Sequence, residues 1–200
     1  MTDARHAPAV LAATLALAAG VALVATSGGG APRRARAEDR FPHTPAGAVA
    51  AATAWCQNTG EAFFAGTWDS AVSALATPSF RALAERDVGP ASALTHARLA
   101  GAHVAYAERM WPLGYALQQY SPAAVRVRVW QLSVFAIATP RTLTGYDTTD
   151  VSLRWTGGDW KVDAATPGPE LSPPARGATA AGVASWIDAT DDFREYRYAP

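Results

Sequence analysis

A single cysteine, Cys56, excludes an intrachain disulfide, so whatever folds here is held by its core. Lys161 is the only lysine; arginine supplies every other side-chain cation. From Phe41 onward there are 12 Arg+Lys against 14 Asp+Glu, a net of −2, so no basic excess marks a nucleic-acid partner. The four histidines, His6, His43, His96 and His103, show no metal-ligand spacing and sit in no cluster with Asp or Glu, which argues against a metal. Glycines gather only at 28–30 and 157–158, a linker and a turn, and neither cradles a phosphate. No catalytic motif stands anywhere, so the sequence predicts no catalytic residue and no cofactor.

What is present is apolar bulk. Half the residues are hydrophobic and seven are Trp. Leaving aside the N-terminal segment, about 160 residues remain for one domain with an ample core. The strongest local signal is YDTTDVSLRWTGGDWKVD, residues 146–163. Val151, Leu153 and Trp155 alternate with Ser152, Arg154 and Thr156, which is a strand with one apolar face. Gly157-Gly158 then supplies the positive φ that a two-residue hairpin needs.

Ala7 to Ala25 is a charge-free apolar run of 19 residues, long enough as a helix for a hydrocarbon core of about 30 Å. Its expected role is a single-pass signal anchor over residues 7–27, after a short tail at 1–6. A cleaved signal peptide is an alternative, with Ala35-Arg36-Ala37 as a distant small-x-small site. A cytoplasmic C-terminal domain is another, because Arg33, Arg34, Arg36 and Arg40 follow the run while only Arg5 precedes it. Residues 28–43 read as a flexible linker.

Thr44-Pro45 starts a helix as N-cap and first helical residue. Val49, Ala52, Cys56, Thr59 and Phe63 form its buried stripe, and Gly66 ends it. A short helix over Trp68 to Ala76 follows. Thr77-Pro78 starts a third helix, with Phe80 and Leu83 as apolar contacts, which Gly89-Pro90 is expected to break. Trp55, Trp68 and Cys56 read as core.

From His103 the period changes to 2. Val104 to Tyr120 is a strand bent near Pro112-Leu113-Gly114, and Ala124 to Ala138 a second one. A loop follows Pro140, then the two strands of the hairpin. The expected fold is α+β: helices on a curved, four-stranded antiparallel sheet over residues 44–165. Residues 166–200 form a Pro/Gly-rich connector and a tail with a short helix. Its Trp186, Ile187 and Phe193, with Tyr196 and Tyr198, are the candidate partner-binding residues, alongside the alternative that the tail docks back on the sheet. For acid–base chemistry the available groups are His103, Tyr106, Glu108 and Tyr115 on the first long strand.

Four segments carry a family resemblance: TPAGAVAAATAWCQ (44–57), PLGYALQQYSPAAVRVRVW (112–130), TTDVSLRWTGGDWKVD (148–163) and FREYRYAP (193–200). They resemble small membrane-anchored proteins of conjugative elements in high-GC Gram-positive bacteria, similar to the single-span assembly factor of type IV secretion machines. The resemblance implies a nuclear-transport-factor-2-like, or cystatin-like, cone domain outside the cell membrane. Such a domain works by self-association and by contact with other conjugation or secretion components, without enzymatic activity. A domain of this kind that binds a small apolar ligand is the alternative function; a cone-fold enzyme is the third.

Overall fold

A computed structural model describes residues 40–137 and 141–196. The anchor segment, residues 28–39 and Tyr198 lie outside these. The elements in chain order are α1 (Pro45–Ala65), α2 (Trp68–Leu75), α3 (Pro78–Gly101), β1 (Tyr106–Tyr120), β2 (Ala124–Ile137), β3 (Arg141–Thr156), β4 (Asp159–Pro167), α4 (Ala180–Thr190) and β5 (Arg194–Glu195). The strands make one antiparallel sheet in the order β4-β3-β2-β1-β5. The class is α+β as the sequence implies, but the sheet has five strands rather than four. The fifth comes from the C-terminal tail, whose two pairing residues are too few to leave a period in the sequence.

The start of α1 follows its signals: Thr44 Oγ1 accepts a hydrogen bond from the Gly47 amide at 3.0 Å, and Pro45 opens the helix. At its end Gly66 takes φ 72°. The expected stripe is too narrow a picture. From Gly47 to Cys56 every residue except Ala50 is buried, because α1 lies between β1–β4 on one side and α2 and α3 on the other. Alanine makes this possible, since a thin helix lets both layers approach.

The third helix corrects the sequence reading. It runs unbroken through Gly89-Pro90 to Gly101. Pro90 costs a backbone hydrogen bond, but contacts on both sides hold the axis. Trp68 Nε1 donates to Ala84 O before the proline. After it, Ser92 Oγ donates to Phe63 O at 2.7 Å, and His96 Nδ1 meets Phe64 O at 3.0 Å. Those two carbonyls lie in the last turn of α1, so α3 also caps α1. Phe80 packs on the core, whereas Leu83 is exposed, one position off the buried Ala84.

The sheet is paired over long stretches. Between β1 and β2 the register shifts at Pro112/Gly114, so the proline sits at a bulge. The loop expected after Pro140 is instead the beginning of β3, which pairs with β2 from Arg141↔Ile137 to Arg154↔Ala124. Val125, Val127, Val129, Val151 and Leu153 point inward onto α1 and are buried. Arg126, Arg128 and Trp130 therefore face outward. The Gly157-Gly158 turn has φ 62° and 79°, as a tight hairpin requires. Trp160 is buried and donates Nε1 to Pro42 O at 3.1 Å, while Trp155 is half-buried and stacks on His43 at 4.0 Å.

Candidate functional sites

Three places gather chemistry: the end of the interior away from the hairpin, the outer sheet face under the C-terminal arm, and the hairpin pole.

Toward the C-terminus of α1 the inward-facing residues change from valine to polar. Gln131 pairs with Asp147 across β2 and β3, and Ser133 with Gly145. Gln131 is 4% exposed; its Nε2 donates to Thr149 Oγ1 at 3.4 Å, and its Oε1 is buried without a hydrogen-bond partner. Asp147 lies at the surface of this end. Partial burial of its carboxyl raises its pKa, a hydrogen bond with Ser133 opposes the rise, and the Glu170 charge adds to it. Beside this row stands Cys56, whose thiol is pushed up to about 12 by burial, with a Thr149 hydrogen bond pulling the other way. It is a buried hydrophobe, as its place in the sequence suggests.

The rim of this end is aromatic. Phe64 and Phe135 lie 4.7 Å apart, and Tyr106 is 6.2 Å from each. Tyr106 and Glu108 share the inner face of β1. Burial first, then the charges of Glu61 and Glu108, raise the Tyr106 pKa. Glu108 reaches α1 at Gly60, where an added Cβ would lie 2.9 Å from its Oε1. Tyr115 packs instead against Tyr196, and His103 sits in the turn before β1 at φ 51°. So of the four acid–base candidates only Tyr106 and Glu108 come together. The sequence places Asp147 in a strand and Gln131 and Ser133 in another, but only the register of β2 against β3 sets Asp147 opposite Gln131 and brings the three to one face.

The C-terminal arm leaves β4 along the β3 edge. Gly168 N donates to Thr148 O at 2.8 Å, and Thr148 Oγ1 donates to Pro169 O. The arm then crosses the outer face. Trp186 of α4 packs edge-on against Trp130 at 5.9 Å, and Phe193 does so at 6.0 Å. Gly114 makes room, since a Cβ there would meet Phe193 Cβ at 3.2 Å. β5 pairs with Gly114 and Tyr115 on the β1 edge. Tyr196 then hooks around that edge to reach Thr53 on α1. Thr53 Oγ1 gives its proton to Val49 O, so the Tyr196 hydroxyl is the donor in their 2.5 Å contact. Of the proposed partner-binding residues, Trp186, Phe193 and Tyr196 are thus engaged within the chain. Ile187 is 52% exposed, with Val183 exposed one turn before it.

On the same outer face Arg128 holds Asp150 with two bonds, Nε–Oδ1 at 2.6 Å and Nη2–Oδ2 at 2.8 Å, and Arg126 adds a third at 3.1 Å. The Arg128 bonds hold the Asp150 carboxyl below its ordinary pKa. Among the described residues no group of three or more His, Cys, Asp or Glu is placed to hold a metal ion.

No curated protein matches this chain. Solved structures similar in part include the following two. A proposed aromatic ring hydroxylase from Novosphingobium aromaticivorans shares 13% identity over 65% of this chain and 93% of its own, with a TM-score of 0.46. The intermembrane-space region of the chloroplast protein ARC6 shares 11% identity over 57% of this chain and 89% of its own, with a TM-score of 0.35. Neither likeness bears on chemistry. A family model matches residues 9–185, nearly the whole chain, and the chain therefore belongs to the family described as a domain of unknown function, DUF8175.

Proposed function

We propose that this chain is a membrane-anchored extracytoplasmic scaffold, a non-enzymatic structural component of a conjugation or type IV secretion-like apparatus that self-associates and contacts other components. The observation that carries the reading is the build of α4. Trp186 secures the helix to Trp130, which turns Val183 and Ile187 to solvent beside Asp188, Asp191 and Asp192. An apolar pair rimmed by acids on a docked helix suits a protein partner, a second copy first. Among the described residues no helix is long and apolar enough to cross a membrane. In this reading the anchor is the run from Ala7 to Ala25, carried by the sequence. The test is Val183→Glu with Ile187→Glu in the full chain, which leaves Trp186 in place. Cross-linking and light scattering should show loss of self-association with unchanged circular dichroism; unchanged self-association would sink the proposal.

A second reading, binding of a small polar ligand, draws on the buried Gln131 Oε1 next to Asp147 and Ser133 at the end of the interior away from the hairpin. A ligand held there raises the melting temperature of the native chain and not of Asp147→Asn.

A further inference from the structure

The described fold begins at the hairpin pole. Phe41 N donates to Asp159 Oδ1 at 2.8 Å, Trp160 holds Pro42 O, and His43 Nε2 meets Pro122 O on the β1–β2 turn. An Arg40 nitrogen lies 3.8 Å from where a Gly158 Cβ would be. Both tight turns and the incoming chain therefore share one end of the molecule. That end is cationic although the chain from Phe41 onward is net acidic. Arg40, Arg126, Arg128, Arg154 and Lys161 stand there against Asp150, Asp159 and Asp163, five cations to three carboxylates. Arg154 keeps 62% of its side chain exposed even while paired with Asp163. Tyr120 is 43% exposed, and Trp155 is half-buried over His43.

Tyr and Trp beside arginines is the composition that settles at a lipid headgroup layer. The tether keeps this end near a membrane: the 14 residues between Ala25 and Arg40 span at most roughly 50 Å when fully extended. We propose that the hairpin pole rests on the anionic surface of the membrane in which the chain is anchored, with Tyr120 and Trp155 at headgroup depth and Arg40, Arg126 and Arg154 facing lipid phosphates. The proposal rests on the anchored reading. It fixes the orientation of the domain, with the α4 side of the sheet upright and accessible to partners.

Full-length chain carrying Tyr120→Cys is spin-labelled in nanodiscs with and without phosphatidylglycerol; buried Cys56, its thiol pushed up to about 12, does not compete for the label. A Leu94→Cys label on α3 is the aqueous reference. The expected result is protection of position 120 from a water-soluble relaxant in anionic discs only, with Leu94 unprotected in both. Replacing Arg40, Arg126 and Arg154 together by Gln weakens the anionic preference by more than about tenfold. Equal aqueous access at position 120 in both lipids overturns the proposal, and so does protection that persists in detergent micelles, which assigns the pole to protein. Alkaline carbonate extraction reads the anchor separately. A chain that washes off yet binds anionic vesicles through position 120 loses the anchor and keeps the pole.

Discussion

Gly47 shows how a single atom decides a residue. A Cβ there would lie 1.9 Å from Pro42 O, and that carbonyl cannot retreat because it accepts from both Trp160 Nε1 and Thr44 N. Gly47→Ala should cost at least about 2 kcal/mol in urea unfolding. The carboxylates of Asp150 and Asp147 are shifted in opposite directions. Asp150, lowered by Arg128 and Arg126, stabilises the fold above its unfolded pKa near 4 and loses this as pH falls through its folded value. Asp147, raised mainly by burial, favours the fold below about pH 4 and loses this as pH rises through its folded value. Asp150→Asn should therefore lower the urea midpoint at about pH 7, and Asp147→Asn should raise it there, with both effects shrinking at about pH 3.5.

Among the elements, α3 carries a penalty that its neighbours offset. Pro90 interrupts the hydrogen-bond ladder, while Ser92 and His96 tie the following turns to α1. Pro90→Ala should raise stability by about 1–3 kcal/mol. Ser92→Ala should lower it by about 1 kcal/mol by orphaning Phe63 O. Thermal unfolding checks the sign: a destabilised Pro90→Ala would show that the proline carries no net penalty in α3. The elements legible in the sequence were those with local signals: the Thr-Pro helix starts, the left-handed Gly66, the Gly-Gly hairpin and the alternating valines of β2. The continuation of α3 was not legible, because what overrides Pro90 is a hydroxyl reaching a carbonyl 29 residues away. The start of β3 was hidden for a similar reason: RTLTG has no alternation, and only pairing with β2 makes it a strand.

At the scale of the molecule the arm decides how much sheet is covered. It runs from the β4 side across Trp130 to the β1 edge, holding by aromatic contacts, a two-residue ladder and the Tyr196 hydroxyl. Two indole N–H groups at its contact with the sheet, on Trp130 of β2 and Trp186 of the arm, are buried without hydrogen-bond partners, which weakens the docking. Removing residues 180–200 should cost about 2–4 kcal/mol and shift tryptophan emission to the red as Trp130 is uncovered, with the sheet's circular dichroism kept. Complete unfolding of that truncated chain would show instead that the arm is part of the core. The topology has its own check: protease added to intact cells should digest residues 44–200 if they lie outside the membrane.

The sequence by itself determined the class, the helix starts, the tight hairpin and the buried character of Trp55 and Cys56, because each depends on backbone preferences or periods within a few residues. Tertiary structure alone decided that the tail becomes a fifth strand, that Trp186 and Phe193 face Trp130 while Ile187 faces water, and that Gln131, Ser133 and Asp147 share a face. The physical reason is sequence separation. Those facts arise where strands and arm meet across tens of residues, and there packing chooses among faces that local propensity leaves equivalent.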